Sequence, residues 1–422
     1  MTRQRLDSFP IMIGIIVSAV LVGGFFAGVA YYLTQRAQID VAQERISPFY
    51  LPPDLSGAVP GDLLRFEPLG VDISGADAYR ILYATATSDG TVVASSGMAF
   101  LSQTPAQENG RPVMAWAHGT VGQGVECAPS RSADPTSQLA TFLPQMMDLG
   151  WAVVATDYYG LGTPGIQRYL IAGQEARDVV YSVRALANLP DANTSQQWGV
   201  YGHSQGGHSS IWTGHLAKDL APELTLVGVA AAAPAAELSQ IIEAQWDSVV
   251  GWVIGAEVMR SWPLEYPLLP VNPVLTPEAQ NALESLATEC IKDAAIEGTI
   301  RQNIYGQNFF ATNPLNSPEW VAALAAQTPR PLPADMPFFL AQGTADEVVL
   351  PEPNAFLQET WCTAGSMLTS LWMGGVGHQT AGLDAGPSVV RWMWERFEGI
   401  PATRTCDLAP PVSNSVVAPA LS

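Results

Sequence analysis

At 422 residues the chain exceeds the usual size of one hydrophobic core, so one large domain with a substantial insertion, or two domains, is expected. Hydrophobic residues make up 48% and charged residues only 14%, which excludes disorder as the general state. The 39 acidic against 19 basic side chains give a net charge of −20, which repels phosphates and argues against nucleic acid as substrate or partner.

In chain order, Arg3 and Arg5 precede an uncharged apolar run at 11–33, the pattern of an export signal. The run is long enough to cross ~30 Å of hydrocarbon as a retained anchor. Gly28-Val29-Ala30 equally offers the small residues that a signal peptidase reads. Either outcome puts the body outside the cell, secreted or held at its surface. Residues 34–78, with Pro48, Pro52, Pro53 and Pro60, read as an extended lead-in. Apolar β-branched runs at 81–86, 92–100, 113–117 and 151–156 then predict strands, and 138–149 and 175–189 predict helices between the later ones. A strand at 198–202, a helix at 205–220 and a strand at 225–231 continue the alternation. Buried strands alternating with helices imply a mostly parallel sheet covered on both faces, the α/β class. Between 235 and 331 no buried strand is recognisable, and helices are expected at 236–259 and 277–296, so this stretch reads as a helical cap inserted into the core. The core, 79–234 and 332–406, resumes with strands at 337–341 and 367–372 and helices at 354–363 and 388–397. The tail at 407–422, rich in Pro, Ala and Ser, is expected to be disordered.

The sharpest local signal is Gly202-His203-Ser204-Gln205-Gly206, between an apolar strand and a helix. The pentapeptide alone is weak, but strand–turn–helix is the context of a nucleophile elbow, with Ser204 as nucleophile. A serine hydroxyl needs a base, and the chain has five histidines: His118, His203, His208, His215 and His378. His203 is expected to point away from its neighbour, His208 and His215 to recede along the following helix, and His118 to open another loop. His378, in a glycine-rich loop at 374–378, remains. The carboxylate behind the base should lie between nucleophile and histidine in chain order. Asp346, at the end of strand 337–341, fits, with Glu347 as the alternative. Asp157 also ends a strand but reads better as a carboxylate ordering a turn. Backbone donors for an oxyanion are expected from Gln205 and from His118-Gly119-Thr120, with the amide of Thr120 preferred over Gly119. No cysteine or histidine spacing suits a metal, and no metal or cofactor is inferred.

These residues together resemble the secretory lipase family of α/β-hydrolases, over about 47–406. Beyond Ser204, Asp346 and His378, the likeness rests on Pro48-Phe49-Tyr50-Leu51-Pro52-Pro53, on Cys127-Ala128-Pro129-Ser130, and on Asp157-Tyr158 with Gly160-Leu161-Gly162. It implies the α/β-hydrolase fold, activity on triacylglycerols and other carboxylic esters at a lipid–water interface, and disulfides joining Cys127 to Cys290 and Cys362 to Cys406. The same triad serves short-chain esterases and acyltransferases. Only Lys218 and Lys292 stand against many arginines, which suggests a bacterial member from a GC-rich genome. Trp246, Trp252, Trp262, Phe309 and Phe310 in the cap either line an acyl-chain tunnel or form the cap's own core. No obligate protein partner is inferred.

Overall fold

The computed structural model describes residue 34 and residues 41–414. The expected targeting segment at 1–33 lies outside them. Among the described residues no helix is long and apolar enough to cross a membrane. The chain divides into two units, up to Phe49 and from Tyr50 onward. Within the first, residues 41–46 are helical, and Ser47 Oγ donates to the Gln43 carbonyl at 2.7 Å.

The second unit is built on a nine-stranded sheet. Its strands are β1 (Leu63–Pro68), β2 (Ala76–Ala86), β3 (Val92–Ser102), β4 (Arg111–Ala117), β5 (Ala152–Thr156), β6 (Thr194–His203), β7 (Thr225–Ala232), β8 (Phe338–Gly343) and β9 (Leu368–Met373), in spatial order 1-2-3-5-4-6-7-8-9. Every pairing from β5 through β4 to β9 is parallel, whereas β1, β2 and β3 pair antiparallel and β3 meets β5 antiparallel. The stretch expected as lead-in at 34–78 thus holds one whole strand. β1 is an edge strand whose side chains, Phe66 among them, remain partly exposed, so it lacks the continuous apolar run that marks its neighbours.

Strand alternation divides the core between two faces. In β4, Val113, Ala115 and Ala117 join one cluster with Val179 and Ile211, while Met114 and Trp116 join the other with Phe142 and Met393. The first face is covered by the helices Ala172–Ala187 and Gln205–Leu220, the second by Leu143–Asp148 and His378–Phe397. The expected helix at 138–149 is only its second half, because Pro144 opens a new first turn.

Between β7 and β8 the chain leaves the sheet and forms the helices Leu238–Gln245, Ala256–Ser261, Pro277–Thr288, Ile291–Thr299 and Pro318–Gln327. This insert has its own core, including Trp252, Trp262, Leu286, Phe309 and Trp320, with the rings of Trp262 and Trp320 stacked 5.9 Å apart. Both long helices expected here are broken. The stretch at 236–259 is interrupted by a turn at 246–248 and then resumes through a π-helical turn at Gly251–Gly255. That at 277–296 stops at Thr288, where Glu289 and Cys290 turn extended and Cys290 bonds to Cys127. Cys362 bonds to Cys406, so the bonded pairs are those the resemblance implies. The described part of the tail is not loose at its start, since the Leu408 carbonyl accepts from Gln358 Nε2 at 2.8 Å.

Candidate active site

β6 ends at His203 and the next helix begins at Gln205, leaving Ser204 alone at the corner with φ 57° and ψ −117°. That conformation is costly for a residue with a Cβ, so the surroundings must impose it. They do so through the backbone: Ser204 N–H donates to the Ala232 carbonyl at 2.9 Å, and the Ser204 carbonyl accepts from His208 and Ala235. The flanking glycines serve close approach. A Cβ on Gly202 would lie 2.0 Å from the Gly206 carbonyl oxygen, and one on Gly206 would lie 1.9 Å from the carbonyl oxygen of Ala117 in β4.

From this corner three side chains form one hydrogen-bonded row. Ser204 Oγ stands 2.9 Å from His378 Nε2, and His378 Nδ1 stands 2.9 Å from Asp346 Oδ2. All three are buried. Asp346 is held from behind, its Oδ1 accepting the amides of Val348 and Val349 at 3.0 and 2.9 Å and its Oδ2 accepting Gln342 Nε2 at 3.2 Å. A carboxylate so fixed orients the imidazole, leaving Nε2 free to take a proton from the hydroxyl. The exposed neighbour Glu347 makes no bond to His378, so of the two carboxylates it is Asp346 that meets the histidine.

Two histidines differ from expectation. His378 is not in a loop: it is the first residue of the helix His378–Phe397, capped by Gly377. The sequence pattern hides this start because Pro387 lies inside the helix, where a proline removes an amide and normally ends it. The carbonyl this frees, on Leu383, accepts instead from Thr141 Oγ1 at 2.6 Å. His203, expected to point away, lines the same cavity as Ser204, its ring 4.7 Å from that of His378. Its Nε2 lies 3.0 Å from the His378 carbonyl, which can only accept, so Nε2 carries the hydrogen. Burial, and the repulsion from His378, hold His203 down to about 3, so it stays neutral and steadies the backbone of the histidine that contacts Ser204.

The loop after β4 presses on the corner, a Cβ on Gly119 falling 3.4 Å from that of Ser204. The Gly119 amide is engaged by Gln138 Oε1 at 3.4 Å. Thr120 is anchored through its hydroxyl, 2.8 Å from that of Tyr169. The Gln205 amide opens a helix, where first-turn amides have no acceptor within the helix. Asp157 is buried and accepts Ser96 Oγ at 2.6 Å and the Ser130 amide at 3.0 Å, so it orders loops and stays away from the row.

A cavity of about 390 Å³ opens above Ser204, walled on the insert side by Val249, Val250, Val253 and Ile254 at the π-helical turn. The insert's aromatic residues do not reach it. Trp252, Trp262 and Phe309 are buried in the insert's core, and Trp246 and Phe310 border a separate apolar cavity of about 70 Å³ that shares Val250 and Ile254 with the first. The aliphatic wall had no sequence signal of its own, since such residues read as core.

Residues 133–405, well over half of the chain, match the family described as Secretory lipase. The chain belongs to the secretory lipase family. Lipase 6 of Candida albicans is 24% identical to it over 398 residues, covering 86% of this chain and 83% of that relative. A secreted triacylglycerol lipase of Malassezia globosa is 26% identical over 395 residues, covering 85% and 80%. Among solved structures, Candida antarctica lipase A in its closed state superposes with a TM-score of 0.67 at 18% identity, covering 88% of this chain and 91% of that one, which shows the common α/β-hydrolase fold. This secretory lipase is therefore a serine hydrolase of lipid or other carboxylic esters, and its family places it outside the cell.

Proposed function

We propose that this secretory lipase hydrolyses triacylglycerols through an acyl-enzyme on Ser204, with His378 as general base and then acid, Asp346 orienting it, and the amides of Gln205 and Thr120 receiving the oxyanion. The observation that carries the reading is the hydrogen-bonded row from Ser204 Oγ through His378 to Asp346, opening into a cavity with an aliphatic wall. Because the Gly119 amide already faces Gln138, Thr120 is the better second donor. The insert acts as a cap whose apolar wall receives the acyl chain.

The same insert supports action at a lipid–water interface. On the helix Ile291–Thr299 and the π-helical turn that continues it, Ile291, Ala295 and Thr299 face the cavity, while Ile296, Ile304 and Tyr305 are 61%, 70% and 67% exposed. One short element thus meets substrate with one side and offers apolar surface to lipid with the other. The body is released, or held at the surface by residues 1–33; the mass of the exported protein's amino terminus decides which.

The test is a chain-length series of nitrophenyl esters together with emulsified triacylglycerol. Turnover of long-chain esters and emulsion is expected, and Ser204→Ala should reduce it by roughly 10⁵-fold or more in a folded protein. Activity confined to acetyl and butyryl esters would replace the lipase reading with that of a short-chain esterase.

A further inference from the structure

Behind the elbow lies a buried acid that the hydrolytic mechanism does not use. Glu175 stands in the first turn of the helix Ala172–Ala187 and is 1% exposed. Its Oε1 accepts the Leu170 amide at 2.8 Å and Gln205 Nε2 at 2.7 Å, and its Oε2 meets His208 Nδ1 at 3.1 Å. His208 Nε2 lies 2.8 Å from the Gln327 carbonyl, an acceptor only, so Nε2 carries a hydrogen and the other ring nitrogen faces Glu175.

These bonds converge on the oxyanion donors from both sides. Gln205, whose amide is one donor, is tied to Glu175 directly by its carboxamide. Thr120, which carries the other, is bound by the hydroxyl of Tyr169, the residue before the Leu170 amide that Glu175 holds. Leu170 sits at φ 53°, a strained value for leucine that a carboxylate bond helps to maintain. The third arm reaches the insert. Gln327 ends its last helix, its carbonyl also accepts Trp212 Nε1 at 3.1 Å, and its Oε1 accepts the Ala172 amide at 2.7 Å.

We propose that Glu175 is a positioning residue for transition-state stabilisation, fixing the segments that carry both oxyanion amides and, with His208, coupling them to the last helix of the cap. This rests on the roles proposed above for Ser204, Gln205 and Thr120. Losing one oxyanion donor outright costs about 10²- to 10³-fold in kcat, and loosening two by tenths of an ångström should cost less.

Three variants of the full chain test it, with kcat and KM for a nitrophenyl ester and the inhibition constant of an alkyl boronic acid, whose adduct on serine places an oxygen where the oxyanion forms. Glu175→Leu should lower kcat roughly 10- to 100-fold with KM changed less than about threefold, and boronate affinity should fall in step with kcat. Glu175→Gln, which retains an acceptor for Leu170 and Gln205 and a donor for His208, should recover most of the loss. Gln205→Met cuts the tether without touching the backbone amide and should lose roughly tenfold in kcat. If Glu175→Leu does not fold, Glu175→Gln and Gln205→Met decide the matter. Wild-type kcat and boronate affinity in Gln205→Met overturn the proposal. So does a lowered melting temperature in Glu175→Leu with unchanged kcat in the surviving folded protein. Turnover in Ser204→Ala within about tenfold of wild type, measured alongside, sinks the underlying mechanism separately.

Discussion

Asp346 and Glu347 are adjacent in the chain, yet the fold separates them: one is buried against His378 with three further N–H donors, the other is exposed. Asp346→Asn keeps the shape but turns an acceptor into a donor toward Nδ1, which favours the wrong tautomer at Nε2. A loss of about 10⁴-fold in kcat is expected. Glu347→Gln should keep kcat within about twofold, because it changes only a solvated charge. Steady-state kinetics on a soluble ester distinguish the two, and comparable losses in both would contradict the geometry. Chain order and position at strand ends brought forward Ser204, His378 and, with Glu347 left as the alternative, Asp346, and these three lie in one hydrogen-bonded row. The contacts of His203, Glu175 and His208 behind the elbow were not legible, for a physical reason. Their roles depend on which carbonyl or amide from a distant segment faces each ring or carboxylate, and a single sequence carries no signal for that pairing.

At the scale of elements, strands buried on both faces were easy to read, because β4 and β5 are continuous apolar runs. β1 and the true start of the helix His378–Phe397 were not. The first is a half-exposed edge, and the second contains a proline whose freed carbonyl is satisfied by Thr141, far away in sequence. Inside the insert, a helical pattern broken at Cys290 shows a covalent tie overriding periodicity. That tie closes a loop of 163 residues, for which chain entropy alone gives about 5 kcal/mol of stabilisation. Replacing both Cys127 and Cys290 by Ala should therefore lower Tm by roughly 5–10 °C. Because Cys290 joins two helices of the insert to a core loop, proteases should cut the insert of the double variant before they cut the sheet. An unchanged Tm, or simultaneous cleavage of both regions, would show that packing of the insert already supplies the restraint.

For the whole molecule, the net charge of −20 and the buried acids act in the same direction with pH. Burial, complete for Asp178 and partial for Glu237, raises these two to about 7 each, and it lifts the buried Glu257 well above the usual carboxylate range. An acid whose folded-state value is raised binds more proton in the folded chain than in the unfolded one between the two values. Stability must then fall as pH rises through that window, and for Glu237 the penalty is absent below about 4.5, grows to about 7 and is constant above. Repulsion among the surface carboxylates also grows with pH, but salt screens it, whereas a penalty from desolvation persists. Tm measured at pH 4.5 and pH 8 in 0.5 M salt should therefore still be lower at pH 8. Glu237 separates the two causes best, because burial alone shifts it. Glu237→Gln should raise Tm at pH 8 by roughly 2–5 °C and leave it nearly unchanged at pH 4.5. Equal Tm values for variant and wild type at pH 8 would mean that this carboxylate is hydrated at the foot of the insert, and that surface charge accounts for the pH dependence.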